Sequence, residues 1–334
     1  MNRFLSASAL GAAAVLALAG CSSNSDTAGS TSPGEKIKIG LAYPAGNETY
    51  WTAYINAAQE EANKLGVDIT FTDAKSDANT QNEQVNSLVA AGAKGISISS
   101  VEPTANKLAA LAATDAGIPL ITSNRTLDLD YGGESGANPR VHVGFNDHEI
   151  GQKQGELVIK ACENIDPCQV VLEEGTAGST TQVQRTGGLE EAIKGSPNIK
   201  ILDKQNNDFD PTKAVDVTQS LLQKHAKFDV LLTHEDPTAV AAARVIEGAG
   251  RAAEVKVIGI GGSKDGINAV KAGNLFGTVW LSPGQDGGFA VASLVSIIKG
   301  EAIKDLKTGG ERPTVEVPTV SVTKENAEQY PGEW

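Results

Sequence analysis

From residue 36 onward, short apolar runs alternate with amphipathic stretches. The runs at 37–43, 67–71, 95–99 and 118–122 read as buried strands, being short, apolar and bounded by turn residues. Between them, 50–65, 80–91 and 104–116 repeat at helical spacing; in the first, Ala57, Ala58, Ala62 and Leu65 share one face. Residues 126–139 carry turn residues without periodicity and read as a surface loop. The alternation then resumes. Strands are expected at 141–145, 169–172, 199–203, 230–233, 255–260 and 277–281, with helices at 149–161, 181–193, 212–224, 238–247, 264–272 and 288–299. A β-like run occupies 314–322. Strands alternating with helices of about 10–15 residues are βαβ units with a parallel sheet. About ten such strands exceed one comfortable domain, so the expected class is α/β in two halves joined near residue 146.

The segment before residue 36 follows another pattern. Asn2 and Arg3 form a polar, positive start, residues 5–20 an Ala-rich apolar run, and Leu18-Ala19-Gly20-Cys21 a small-residue close. That is the build of a secretory signal peptide over 1–20. The run is short for a membrane span, which needs about 20 apolar residues. The cysteine resembles that of a bacterial lipobox, which implies lipidation, as by palmitate, of Cys21. Residues 22–34 are rich in Ser, Thr and Gly, so 21–35 is expected to be a flexible tether.

Charge and cysteines narrow the picture further. The formal charge is −13 and no basic stripe is present, which argues against a nucleic-acid partner. Cys162 and Cys168 lie six apart. Outside the cytoplasm they read as a disulfide, the alternative being two separate, partly buried thiols. No Cys/His cluster has zinc spacing, so neither a metal nor a cofactor is expected.

In open α/β sheets, ligands lie beyond the carboxyl ends of the strands. Those loops carry most of the candidate chemistry. Tyr50 and Trp51 follow the first strand and offer rings, though one of them could simply staple the helix start. Ser123-Asn124-Arg125 follows the fourth strand, and Gln184-Arg185 sits beyond a Gly-rich stretch. Each arginine presents a rigid fork of donors suited to adjacent hydroxyls, or else a surface ion pair. Phe209 lies in Asn206-Asn-Asp-Phe-Asp210. His234, Glu235 and Asp236 share one strand-end loop, where either acid could also cap the next helix.

The stretches IGLAYPAGNETYWTAYINAAQEEANKLGVDI, NSLVAAGAKGISISSVEPTA, AGIPLITSNR, GTAGSTTQVQRTGG, DFDPTKAVDVTQSLL and VIGIGGSKDGINAV resemble the ribose/galactose-type substrate-binding proteins of bacterial ABC importers. The resemblance spans about 36–300 and implies the type I periplasmic-binding-protein fold. It implies two doubly wound parallel-sheet lobes joined by a multi-strand hinge. The first lobe would hold 36–146 plus about 282–311, the second 147–281 plus about 312–334, with crossings near 146–147, 281–282 and 310–314.

By the same resemblance, the family's paired aromatics fall on Tyr50 and Trp51, a polar position on Ser99, and an Asp-Arg pair on Asn124 and Arg125. A second arginine falls on Arg185, a ring on Phe209, and an Asn-Asp pair on Glu235 and Asp236. Besides Asn124 and Glu235, four residues depart from the pattern. Glu48 stands for an asparagine, Ile260-Gly261 for an aromatic and an aspartate, and Leu281 for a glutamine. Lost carboxylates and gained glutamates keep a hydroxyl-reading pocket with a changed map. The expected ligand is a small sugar or sugar alcohol, a pentose or an acyclic polyol of about four to five carbons. The expected protein is a monomer, lipid-anchored outside the cytoplasm, that closes on its ligand and delivers it to ABC permease subunits. A ligand-presenting sensor for a membrane kinase is the alternative. Arg125 and Arg185 would bridge the ligand from opposite lobes, and Arg185→Ala would abolish binding without unfolding. An enzyme is not expected: there is no G-x-S-x-G, no H-E-x-x-H and no P-loop. Gly248-Ala-Gly-Arg-Ala-Ala253 follows a helix and precedes a strand, the wrong context for a dinucleotide fingerprint.

Overall fold

The computed structural model describes residues 36–46, 49–127, 140–310 and 312–334. The leader, the tether with Cys21, Glu48 and most of the 126–139 stretch lie outside the described residues. Two six-stranded sheets carry the chain. The first runs β11-β5-β4-β3-β1-β2 and the second β12-β10-β9-β8-β6-β7. The first uses β1 (Lys38–Tyr43), β2 (Asp68–Asp73), β3 (Gly95–Ile98), β4 (Leu120–Ser123), β5 (His142–Gly144) and β11 (Thr314–Glu316). The second uses β6 (Cys168–Glu174), β7 (Ile199–Asn206), β8 (Val230–Thr233), β9 (Lys256–Gly261), β10 (Gly277–Trp280) and β12 (Val320–Thr323). All neighbours pair in parallel except β12, which runs antiparallel to β10 as an edge strand.

The helices between them are α1 (Thr49–Leu65), α2 (Ala78–Ala90), α3 (Lys107–Asp115), α4 (Asp147–Ala161), α5 (Thr180–Ile193), α6 (Pro211–Lys224), α7 (Asp236–Gly248), α8 (Lys264–Ala272) and α9 (Pro283–Lys299). Side-chain caps fix where several begin. Asp77, Asn146, Ser179, Asp210, Ser263 and Ser282 each accept a bond from the first turn of the helix that follows. Pro211 and Pro283 sit where the missing N–H costs nothing. Gly273 and Gly300 end α8 and α9 in the left-handed region.

Among the described residues the chain passes between the sheets three times, at 145–147, 281–283 and 317–319. Phe145, Leu281 and Val317 are buried at these crossings in one apolar cluster, which joins Ile39, Leu41 and Val143 of the first sheet to Val170, Leu172 and Val279 of the second. The third crossing comes later than the 310–314 expected from sequence. Thr314 pairs with His142 of β5, so residues up to Glu316 stay with the first sheet and the expected boundary at 311/312 moves beyond them. The run at 314–322 is thus two strands in two sheets. α9 also starts five residues ahead of expectation, because Ser282 caps it and its Pro-Gly-Gln-Asp-Gly-Gly opening is helical. Cys162 and Cys168 are bonded across the α4–β6 loop, with Cα atoms 5.7 Å apart.

Close helix pairs set the depth of each lobe. A Cβ on Gly287 of α9 would strike the Tyr54 carbonyl of α1, and Cβ atoms on Gly151 and Gly188 would strike the backbones of α5 and α4. Gly287→Ala should therefore push α1 away and destabilise the protein by about 1–3 kcal/mol, as overpacking does. Thermal unfolding reads this as a lower Tm, and an unchanged Tm would refute the packing argument.

Candidate ligand-binding site

The strand-end loops of both sheets meet around one cavity of about 40 Å³. At about 10–15 Å³ per water, that is room for roughly three waters. Tyr50, Trp51, Asn124 and Arg125 line it from the first lobe. Thr181, Arg185, Phe209, His234, Glu235, Ile260 and Gly261 line it from the second, with Leu281 at the crossing and Trp334 from the last segment. Larger grooves beside α7 and α8 (about 460 Å³) and beside α1 and α9 (about 580 Å³) lie on outer helix faces, and a third of about 580 Å³ opens beside the first crossing, lined by Asn124, Asn146, Asp147 and Thr180.

On the first lobe, the helix start at Thr49 places two rings side by side. Trp51 stacks on Tyr43 at 5.9 Å and meets Tyr50 and Tyr54 edge-on at 5.3 and 5.2 Å. Tyr50 turns its hydroxyl inward and donates to Asp286 of α9 at 2.7 Å. Asn124 donates to the same carboxylate oxygen at 3.2 Å and to the Tyr50 hydroxyl at 3.0 Å. The other Asp286 oxygen is buried with no partner. Burial without a cation pushes the Asp286 carboxyl up to about 7. Burial and Asp286 together raise the Tyr50 hydroxyl well above its ordinary value. Asn124 takes φ 58°, a left-handed turn that redirects the chain just before Arg125. The Arg125 guanidinium then lies 5.7 Å over the Phe209 ring of the opposite lobe.

On the second lobe, Phe209 reaches the cavity from a strained loop. Asp208 and Phe209 both have positive φ, 56° and 59°. Asn207 holds the loop, accepting from the Phe209 N–H at 3.1 Å and donating to buried Glu173 at 3.1 Å. Gly175 leaves the space that the Phe209 ring fills. Arg185 of α5 donates through Nε to Asp147 at 2.8 Å and through Nη1 to the His234 carbonyl at 2.6 Å. Both members of the pair are buried. Removing one would strand the other's charge, which costs about 3–5 kcal/mol. Arg185→Ala would therefore destabilise the fold as well as remove two donors from the site.

His234 is held neutral. Burial, with Arg185 nearby, lowers its imidazole to about 3. Its Nδ1 accepts from the Gly175 N–H at 3.4 Å, so the ring proton sits on Nε2. That Nε2 is buried without a partner, as are Thr181 Oγ1 and Trp334 Nε1. Three residues of one cavity wall thus hold polar atoms that the protein leaves unsatisfied.

Two expected residues behave otherwise. Ser99 is buried but is not on the cavity wall; its carbonyl accepts from Gln81 at 2.8 Å instead. Asp236 turns into the second lobe, accepting from Thr278 at 2.6 Å and from the Ser263 N–H at 2.9 Å. Its neighbour Glu235 does line the cavity, at the N-cap of α7 but making no side-chain cap bond. Thr181 and Trp334 were not singled out from the sequence. The one available signal for Trp334 was an aromatic in a chain with 4% of them.

Two mainly parallel α/β sheets, three crossings and a cavity drawn from both lobes define a bilobal binding protein of the type I periplasmic class. Residues 39–302 match the family described as periplasmic binding protein domain, and the chain belongs to that family. The ribose import binding protein of Haemophilus influenzae is 29% identical over 278 residues, covering 82% of this chain and 90% of that protein. A Mycobacterium smegmatis ABC transporter solute-binding protein with bound glycerol superposes with a TM-score of 0.80 at 26% identity, covering 89% of this chain and 98% of that one. A galactofuranose-binding protein superposes at 0.80 with 25% identity, covering 88% and 97%. These are substrate-binding transport proteins, and the chain is an extracytoplasmic binding protein of the ABC-importer type rather than an enzyme.

The raised Asp286 carboxyl carries a pH dependence with a definite sign. In the unfolded chain it ionises near 3.8, in the fold near 7. The folded state therefore holds the extra proton between those values, and stability falls as pH rises through that window. Glu173 and Asp236, raised by burial to about 7 and about 6, act in the same direction. Buried His142 and His234, lowered to about 3, act oppositely but only below about 6.5. Asp286→Asn should flatten part of the decline in Tm between about pH 4.5 and about pH 7; an undiminished decline would refute the role of this carboxyl.

Proposed function

We propose that this protein captures a small, neutral polyhydroxy compound, a pentose or an acyclic polyol of about four to five carbons, and hands it to an ABC permease. The cavity wall carries the reading. Its partnerless Thr181 Oγ1, His234 Nε2–H and Trp334 Nε1–H suit the hydroxyls of such a ligand. The Tyr50, Trp51 and Phe209 rings suit its apolar C–H faces. Because Asp147 neutralises Arg185 from within, the guanidinium offers donors without calling for an anionic ligand. Ribose as the cargo of the Haemophilus relative and glycerol in the Mycobacterium structure both lie within this chemistry.

The cavity as it stands is smaller than a pentose, so capture works by parting the lobes to admit the ligand and then drawing them together about the three crossings. Moving a population from 1:99 to 99:1 in favour of closure takes about 5.5 kcal/mol of differential binding. Two or three hydrogen bonds to Arg125, Arg185 and Glu235, each worth about 1.5–3 kcal/mol, supply that order of energy. Lipid on Cys21, followed by the 22–34 tether, keeps a monomeric receptor within reach of its permease.

Calorimetry against D-ribose, L-arabinose, erythritol, xylitol, glycerol, D-allose, D-glucose and myo-inositol tests the ligand class. Binding by a pentose or a four-to-five-carbon polyol is expected, and binding by hexoses alone would overturn it. Phe209→Ala should weaken the best binder by about 10-fold to 100-fold, as loss of a stacked ring does. For the anchor, labelled palmitate should enter the wild-type protein in cells and not Cys21→Ser; equal labelling would remove Cys21 from this role.

A further inference from the structure

The segment after the short 3-10 turn at Ala327–Gln329 does not run off the surface. It is strapped across the strand-end rim of the second lobe. Trp280 of β10 donates through Nε1 to the Pro331 carbonyl at 3.2 Å and packs against Tyr330 at 5.9 Å. Gly332 sits so tightly on Ser263 and Lys264 that a Cβ there would strike the Lys264 backbone. The Lys264 N–H donates to the Trp334 carbonyl at 2.7 Å. Glu333 accepts from the Ser282 hydroxyl at 2.8 Å, at the start of α9 in the first lobe. These bonds aim the Trp334 ring into the interlobe cavity, where it meets Tyr50 edge-on at 5.9 Å and 82°.

The place the ring takes is significant. Gly261 ends β9 on the cavity wall. A Cβ on Gly261 would come within 2.9 Å of Trp334 Cζ2, so the indole occupies the space a side chain from that strand would enter. The indole N–H there is buried and has no acceptor, an expensive arrangement unless something supplies one.

We propose that residues 330–334 are part of the binding site, with Trp334 as a ligand-contacting residue. Its Nε1–H donates to an oxygen of the bound polyhydroxy compound, and its ring forms the wall that Gly261 leaves open. The inference rests on the small polyhydroxy ligand proposed above. Because the strap bonds to Gly262, Lys264 and Trp280, the ring is a fixed part of the second lobe's wall. Because the ring also meets Tyr50, and Glu333 beside it accepts from Ser282, the ring reports on closure of the first lobe.

Titrating wild type, Trp334→Phe and Trp334→Ala with the same eight compounds tests this. Unfolding curves check that each variant is folded. The phenyl ring keeps the wall and loses the donor, so Trp334→Phe should bind about threefold to tenfold more weakly. Trp334→Ala should lose at least about 30-fold. On the wild-type protein, the Trp334 indole ¹⁵N–¹H resonance, assigned by its loss in Trp334→Phe, should move on ligand addition; this readout needs no variant to bind. Unchanged or tighter binding by Trp334→Ala, or an indole resonance that stays still while ligand binds, would overturn the contact. Binding by Trp334→Ala where the wild type binds nothing would make the ring a plug and overturn it as well. Binding by neither would overturn the polyhydroxy reading itself, and this inference with it.

Discussion

The cleft depends on a carboxyl buried without a cation. Asp286 sits in the first turn of α9, just past the second crossing, and accepts bonds from Tyr50 and Asn124 on one oxygen. Three segments distant in sequence are thereby pinned together: the start of α1, the turn after β4 and the start of α9. The Tyr50 ring is held where Trp334 meets it, and the left-handed turn at Asn124 is held where it aims Arg125 across the gap. A neutral carboxylic acid can sit in that environment far more readily than a carboxylate, which is why its ionisation is delayed. The second lobe uses the opposite solution. There the ion pair of Arg185 and Asp147 is complete, and the backbone carbonyl of His234 takes a further guanidinium donor.

Three of the seven described non-glycine residues with positive φ stand at this rim. Asn124, Asp208 and Phe209 all occupy the left-handed region without being glycine, at about 1–3 kcal/mol each in sparsely populated conformations. Each is held by side-chain bonds or packing that is already in place. The Phe209 turn in particular depends on the Asn207 bonds and on the absence of a Cβ at Gly175. The rim is therefore preorganised, and little ordering is left for a ligand to bring about there.

Much of this architecture was legible in the sequence because alternation of period is a local property. Short apolar runs and amphipathic stretches announced themselves, and the strand-end rule brought Tyr50, Trp51, Asn124, Arg125, Arg185, Phe209 and Glu235 to one list that the cavity shares. The departures have non-local causes. Residues 314–322 look like one run because local pattern does not say which sheet a strand will join. The Pro-Gly-Gln-Asp-Gly-Gly start of α9 looks like a turn, yet Gly287 is there to admit α1. Asp236 looks like its neighbour Glu235, but one residue along the helix start points into the lobe and the other to the cavity. Trp334 is separated by more than 70 residues from Gly261, and only the folded strap brings them together.

The Arg185–Asp147 pair has a further consequence for life outside the cytoplasm. The pair is neutral as a unit and buried, so it presents hydrogen-bond donors to the cleft with little long-range field. Dissolved ions screen exposed charges within about 10 Å at 0.1 M salt, but they have little hold on a compensated, enclosed pair. With the neutral cargo proposed for it, a receptor built this way would keep its grip while the salinity of its surroundings changes around it.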